Sequence, residues 1–166
     1  MFRDFHMRQR TKVLSVLFAG LLAASATPAF AGPAETAFLK TLTANWTGKG
    51  KLVGAQSGPV ACRIVITAGG QSAKYQGRCN IPDMASQAFN GAISYNDKSK
   101  RYEVRSVNGT VPGVRLGNSL IFTNKDTSMG GSYYSTMTMS ASALTVNFSI
   151  IDKNGDKTSS VISFSK

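Results

Sequence analysis

The chain has 166 residues, with 19 Lys and Arg against 8 Asp and Glu, giving a formal net charge of +11. It holds one histidine and two cysteines, too few ligands for a multi-residue metal centre and too little imidazole for the commonest catalytic triads. That length suits one domain with a real core, and the excess charge favours anionic surroundings.

Residues 1–31 read as a cleavable secretory signal. Arg3, Arg8, Arg10 and Lys12 form a positive start, Val13 to Ala24 form a short apolar run, and Ala29-Phe30-Ala31 offers the small residues a signal peptidase needs. Cleavage is expected after Ala31, with either Met1 or Met7 serving as the start. The apolar run is too short to span a bilayer, so no transmembrane segment is expected in the mature chain. The pattern suits Sec export in a Gram-negative bacterium and a periplasmic destination. Cleavage removes His6, leaving no histidine. The leader holds four basic residues and one acidic residue, so residues 32–166 keep +8 of the +11.

The remainder, 32–166, is expected to be a single domain. Pro33 to Leu42 reads as a short helix: Pro33 suits the first turn, Glu35 its positive end, and Phe38, Leu39 and Leu42 recur at helical spacing. From Asn45 the period changes to two. Strands are predicted near 45–53, 60–68, 72–80, 88–95, 101–107, 113–116, 119–123, 132–140, 143–151 and 157–165, separated by Gly, Asn, Asp and Pro. Connections are short, so neighbours should pair. The fold class is all-β: an antiparallel up-and-down meander closing into a small barrel of 8–10 strands, with the short helix at its N-terminus. A two-sheet sandwich is the alternative. A transmembrane barrel fits poorly, because most of these strands fall short of a bilayer's thickness.

Two hairpins define their own registers. A two-residue loop at Gly70-Gln71 sets Cys62 opposite Cys79, Ile66 opposite Tyr75 and Val60 opposite Ile81, leaving Arg63, Thr67, Lys74, Gln76 and Arg78 on the other face. In an oxidising compartment this cysteine pair is a disulfide, adding about 3 kcal/mol by the loop-entropy model. In the last hairpin, a two-residue Asn154-Gly155 turn would set Phe148 opposite Val161 and mix the faces. A loop of three or five residues, or a bulge, within Asp152–Asp156 keeps Val146 and Phe148 with Ile162 and Phe164 instead.

Asn45-Trp46-Thr47-Gly48-Lys49-Gly50, following a short helix, resembles the start of calycin-type barrels, both lipocalins and nitrobindin-like haem barrels. That resemblance implies a barrel whose Trp46 caps one end and whose interior holds a small apolar ligand. It departs from the haem barrels in having no histidine to ligate iron, so no cofactor and no metal are expected. Tyr133, Met137 and Met139 would add soft lining near Phe148. The interior candidates are therefore Trp46, Tyr75, Phe89, Phe122, Tyr133, Met137, Met139 and Phe148.

Catalytic motifs are absent. No G-x-S-x-G elbow occurs, and most carboxylates fall at turns, where Asp bonds its own backbone. Glu103 sits within a strand and should point outward beside Arg101 and Arg105. Asp152-Lys-Asn-Gly-Asp156 imitates a calcium loop, but Lys157 and Ser163 stand where that loop needs glycine and glutamate. The chain is expected to be a non-enzymatic periplasmic barrel binding a small apolar ligand or lipid inside. The alternative is an envelope-associated protein that meets an anionic surface or a protein partner, including as a hydrolase inhibitor, through its basic exterior. Candidates for that exterior are Arg63, Lys74 and Arg78 on one hairpin, with Lys98, Lys100, Arg101 and Arg105 beyond it. Nucleic acid is not expected in that compartment.

Overall fold

A computed structural model describes residues 32–81, 86–127 and 131–166; the leader expected over 1–31 lies outside them. One helix, α1 (Pro33–Thr41), precedes ten strands: β1 (Ala44–Gly54), β2 (Gly58–Gly69), β3 (Ser72–Asn80), β4 (Gln87–Asn96), β5 (Arg101–Ser106), β6 (Gly109–Leu116), β7 (Ser119–Asp126), β8 (Ser132–Met139), β9 (Leu144–Ile151) and β10 (Lys157–Ser165). Every strand pairs antiparallel with its neighbours in sequence, and β1 also pairs with β10, so the meander closes into a barrel with no free edge. The closed barrel, not the sandwich, is the architecture. The periodicity undersized two strands by several residues: β6 starts at Gly109 rather than Gly113, because Gly109 and Pro112 mask its alternation, and β7 runs on to Asp126 rather than stopping at Thr123, because Asn124, Lys125 and Asp126 are all polar.

Register follows the hydrophobic pattern. Cys62 lies opposite Cys79 and Ile66 opposite Tyr75, joined by the two-residue turn at Gly70 and Gln71, with Gly70 in the left-handed region at φ 58°. The ladder ends at Ala61 and Asn80, so Val60 and Ile81 lie beyond it. In the last hairpin Ile151 pairs with Lys157 across a five-residue loop, which sets Val146 opposite Ile162 and Leu144 opposite Phe164. The Asp152 carboxylate accepts the backbone N–H groups of Asn154 and Asp156 at 2.8 and 3.0 Å, so this acidic segment is a turn that closes on itself.

Alternation gives the barrel an apolar inside and a polar outside. The helix docks at the end where β1 starts and β2 ends, burying Phe38, Leu39 and Leu42 against Trp46, Ile93, Tyr102, Leu120 and Leu144. Trp46 Nε1 donates to the Leu42 carbonyl at 3.4 Å, tying the first strand to the end of α1. Phe38 meets Tyr102 edge-on with ring centres 5.7 Å apart, Tyr95 meets Tyr102 at 5.1 Å, and the Arg115 guanidinium lies 4.1 Å from the Phe38 ring centre. That end is plugged. Among the described residues, the opposite end, where β3, β5, β7 and β9 finish, has no such helix.

Four aromatic rings lie directly against a glycine on the neighbouring strand. Phe164 pairs with Gly48, Phe89 with Gly77, Tyr75 with Gly91 and Phe122 with Gly113. At each of these glycines a Cβ would collide with the ring opposite. The missing side chain lets the ring lie against the barrel wall instead of standing across the lumen. In this way a barrel rich in aromatic residues keeps space inside.

Candidate functional site

That space is a cavity of about 340 Å³ in the barrel interior. Seven of the eight interior candidates line it: Tyr75, Phe89, Phe122, Tyr133, Met137, Met139 and Phe148. Met137 and Phe148 both flank Val146, from β8 and β9, so alternate residues of two adjacent strands build one wall. Trp46 is the exception: it does not line the cavity. Its ring is buried at the plugged end, with the Lys166 ammonium 5.1 Å from its centre. A tryptophan at the start of the first strand falls where the helix packs, so it serves the plug and leaves the lumen to smaller side chains.

The disulfide is part of the wall. Cys62 and Cys79 are bonded at 1.99 Å, and Cys79 faces the cavity from the mouth half of β3. Ile64, Ile66, Val104, Val111, Leu144, Val146, Ile162 and Phe164 also contribute, and all but Val111, in the unexpected first half of β6, lie in strands that the period-two pattern identifies. Sequence reasoning missed Asn124 and Ser135, which lie directly opposite each other on β7 and β8 and also line the cavity. Their polarity reads as exterior; only the register, fixed by Phe122 and Met137 two residues along, turns them inward.

Asn124, Val111 and Tyr133 are shared with a wider vestibule of about 810 Å³ at the unplugged end, bounded also by Asn108, Asp126, Ile150, Asp152 and Lys153. The site thus grades from an apolar interior through an amide and two hydroxyls to a charged rim. Among the described residues the inner lining has no ionised side chain, and burial alone pushes the Tyr75 hydroxyl above the usual phenol range. No group of three or more His, Cys, Asp or Glu residues that could hold a metal ion occurs among the described residues. What the lining offers is dispersion, aromatic faces, thioethers and a few hydrogen bonds, a composition suited to a largely apolar guest.

The basic candidates divide by position. Arg63, Lys74 and Arg78 are exposed on the outer wall of β2 and β3. Lys98 and Lys100 lie in the turn between β4 and β5, while Arg101 and Arg105 point outward from β5. Arg105 is paired with Glu103 at 2.8 Å, and Glu103 also accepts from Asn96 at 2.7 Å, which spends that carboxylate on surface structure. No helix among the described residues is long and apolar enough to cross a membrane.

No family model and no curated protein sequence matches the chain. Solved structures do. An S-type phycobiliprotein lyase, CPES, from Guillardia theta aligns over 78% of this chain and 90% of its own, with a TM-score of 0.56 at 10% identity. The protein Rv2717c from M. tuberculosis aligns over 79% of this chain and 96% of its own, with a TM-score of 0.52 at 12% identity. Both are calycin-like barrels, so at these identities the likeness shows the fold alone. It also corrects one expectation from the sequence. The architecture carries a phycobiliprotein lyase, so a barrel of this kind is not thereby non-enzymatic. The chain is a ten-stranded, antiparallel closed barrel whose fold is similar to that of these two proteins.

Proposed function

We propose that this protein binds a small, largely apolar molecule or lipid inside the barrel. The observation that carries the reading is the cavity of about 340 Å³, lined by aromatic, thioether and aliphatic side chains and graded toward a polar vestibule. A lumen that side chains do not fill costs stability relative to a packed one, and the glycine-backed rings maintain it on three separate strand pairs. Export by the leader expected over residues 1–31 would place this binding in the periplasm. The disulfide supports that compartment, because such bonds persist where the surroundings oxidise.

The test is native mass spectrometry of protein purified from its own cell envelope, followed by titration of the delipidated protein with an apolar environment-sensitive fluorophore. A reproducible added mass and saturable one-to-one fluorophore binding are expected. Ser135→Trp, which puts an indole into the cavity directly opposite Asn124, should abolish that binding while the protein stays folded. A delipidated protein that binds no apolar probe, or a Ser135→Trp protein that binds as well as the original, would sink the reading.

A further inference from the structure

The outer wall of the barrel is electrically lopsided. β1, β2, β3 and β4 contain no aspartate or glutamate at any position. Five cations point outward from three of these strands and are exposed: Lys49 and Lys51 on β1, Arg63 on β2, Lys74 and Arg78 on β3. The wall on the other side of β1 differs. β10, β9 and β8 carry Lys157 alone among charged residues, amid Ser, Thr and Asn.

The cations are arranged as a cluster. Arg63 lies directly opposite Arg78, an arrangement that like charges disfavour, and no ion pair involves either among the described residues. Lys49 stands one strand over and two residues along from Arg63, whose β1 partner is Thr47. Lys51 follows at the next outward position of β1. Each of these four therefore falls within about one Debye length, ~8 Å at physiological salt, of a neighbour of the same sign. Lys74 extends the row toward the plugged end. Beside the arginine pair runs a shallow depression in which the amides of Gln76 and Asn90 flank the two guanidiniums. Planar guanidiniums with amide donors beside them are suited to phosphate oxygens.

We infer that this face of β1, β2 and β3 docks the protein on the anionic phospholipid surface of a bilayer. Charge complementarity carries the inference. Four closely spaced cations with no carboxylate on their own or the adjoining strands match a surface of closely spaced phosphates, whereas a protein partner is usually gripped by aromatic anchors, and the large apolar residues exposed on this wall are two valines, Val53 and Val65. The inference is independent of what fills the lumen, since every residue in it faces outward.

The experiment is co-sedimentation of the full protein with vesicles of phosphatidylcholine alone or with a third of phosphatidylglycerol, at several salt concentrations. Binding to the anionic vesicles only, weakening as salt rises, is expected. Arg63→Gln with Arg78→Gln should weaken it about 25-fold, at about five-fold per charge removed, with the thermal midpoint held or raised because a like-charge pair is relieved. Arg101→Gln with Lys125→Gln, an equal charge loss on β5 and β7 away from the docking face, should weaken it less than three-fold. Equal losses in the two double variants would reduce the effect to net charge and overturn the docking face. So would equal binding to neutral vesicles, or displacement from anionic vesicles by millimolar inorganic phosphate, which would assign the arginine pair to a soluble anion.

Discussion

The two ends of the barrel are ordered by different means. At the plugged end, α1 seals the lumen with side chains that are almost wholly buried: Leu39 and Leu42 are 1% exposed and Ile93 and Leu120 are 0%. At the mouth end, Asn124, Tyr133, Ser135 and Phe148 are only partly buried and border open space. There the Cys62–Cys79 bond joins β2 to β3. Close packing supplies order at one end, and a covalent bond substitutes for it at the end where packing would occupy the cavity. Where a site needs room, stability has to come from something other than filling it.

The sharpest way to break that contrast is to damage the plug. Leu39→Ala should cost about 3–4 kcal/mol in urea unfolding, through lost apolar burial and the void left behind. The fraction that remains folded should still bind an apolar fluorophore in the lumen. A cost below about 1 kcal/mol would mean the helix is an ornament on a self-sufficient barrel.

Second comes the staple at the other end. Cys62 and Cys79 are 17 residues apart, so reducing the bond should lower stability by about 3 kcal/mol on the loop-entropy account. Hydrogen exchange should locate the damage: amides at the mouth ends of β2 and β3 should open first, while α1 and the start of β1 stay protected. Loss of protection beginning at α1 would contradict the division of labour.

Much of this was legible in the sequence, for identifiable reasons. A period of two with short turns specified ten strands and a meander, and the alternating sets around Gly70 and Asp152–Asp156 fixed two registers. Seven cavity residues were legible because large apolar side chains at inward positions have nowhere else to go. Trp46 misled because its burial was legible but its height in the barrel was not: that depends on where α1 docks. Asn124 and Ser135 were hidden because their composition is that of an outer wall. The glycine-backed rings were hidden too, since each pair joins residues on different strands and becomes visible only when the register of every hairpin is known.

Those pairs provide the third way to sharpen the comparison. Gly113→Ala should push the Phe122 ring off the wall, costing about 1–3 kcal/mol from overpacking and reducing the capacity of the lumen for an apolar probe. Stability and capacity should fall together. Capacity that survives the stability loss would show that the ring finds room elsewhere, and the glycine would then be a matter of packing alone.

The smallest effect belongs to the outer wall near the plug, where Glu103 holds Arg105 at 2.8 Å and accepts from Asn96 at the end of β4. The Arg105 guanidinium, followed by the Asn96 amide, holds this carboxyl below the usual range. A carboxyl lowered in the folded state contributes stability that is fully present above the ordinary glutamate pKa of about 4.3 and is lost as pH falls through the lowered folded value. Glu103→Gln should therefore cost less than about 1 kcal/mol at pH 7, because Arg105 is largely exposed and water screens the pair. The gap between the variant and the original should hold down to about pH 5, then close as the pH drops below about 4. Urea unfolding across that range measures it. A deficit approaching that of Leu39→Ala would mean the plugged end is clasped from outside, by charge on its wall, rather than filled from within.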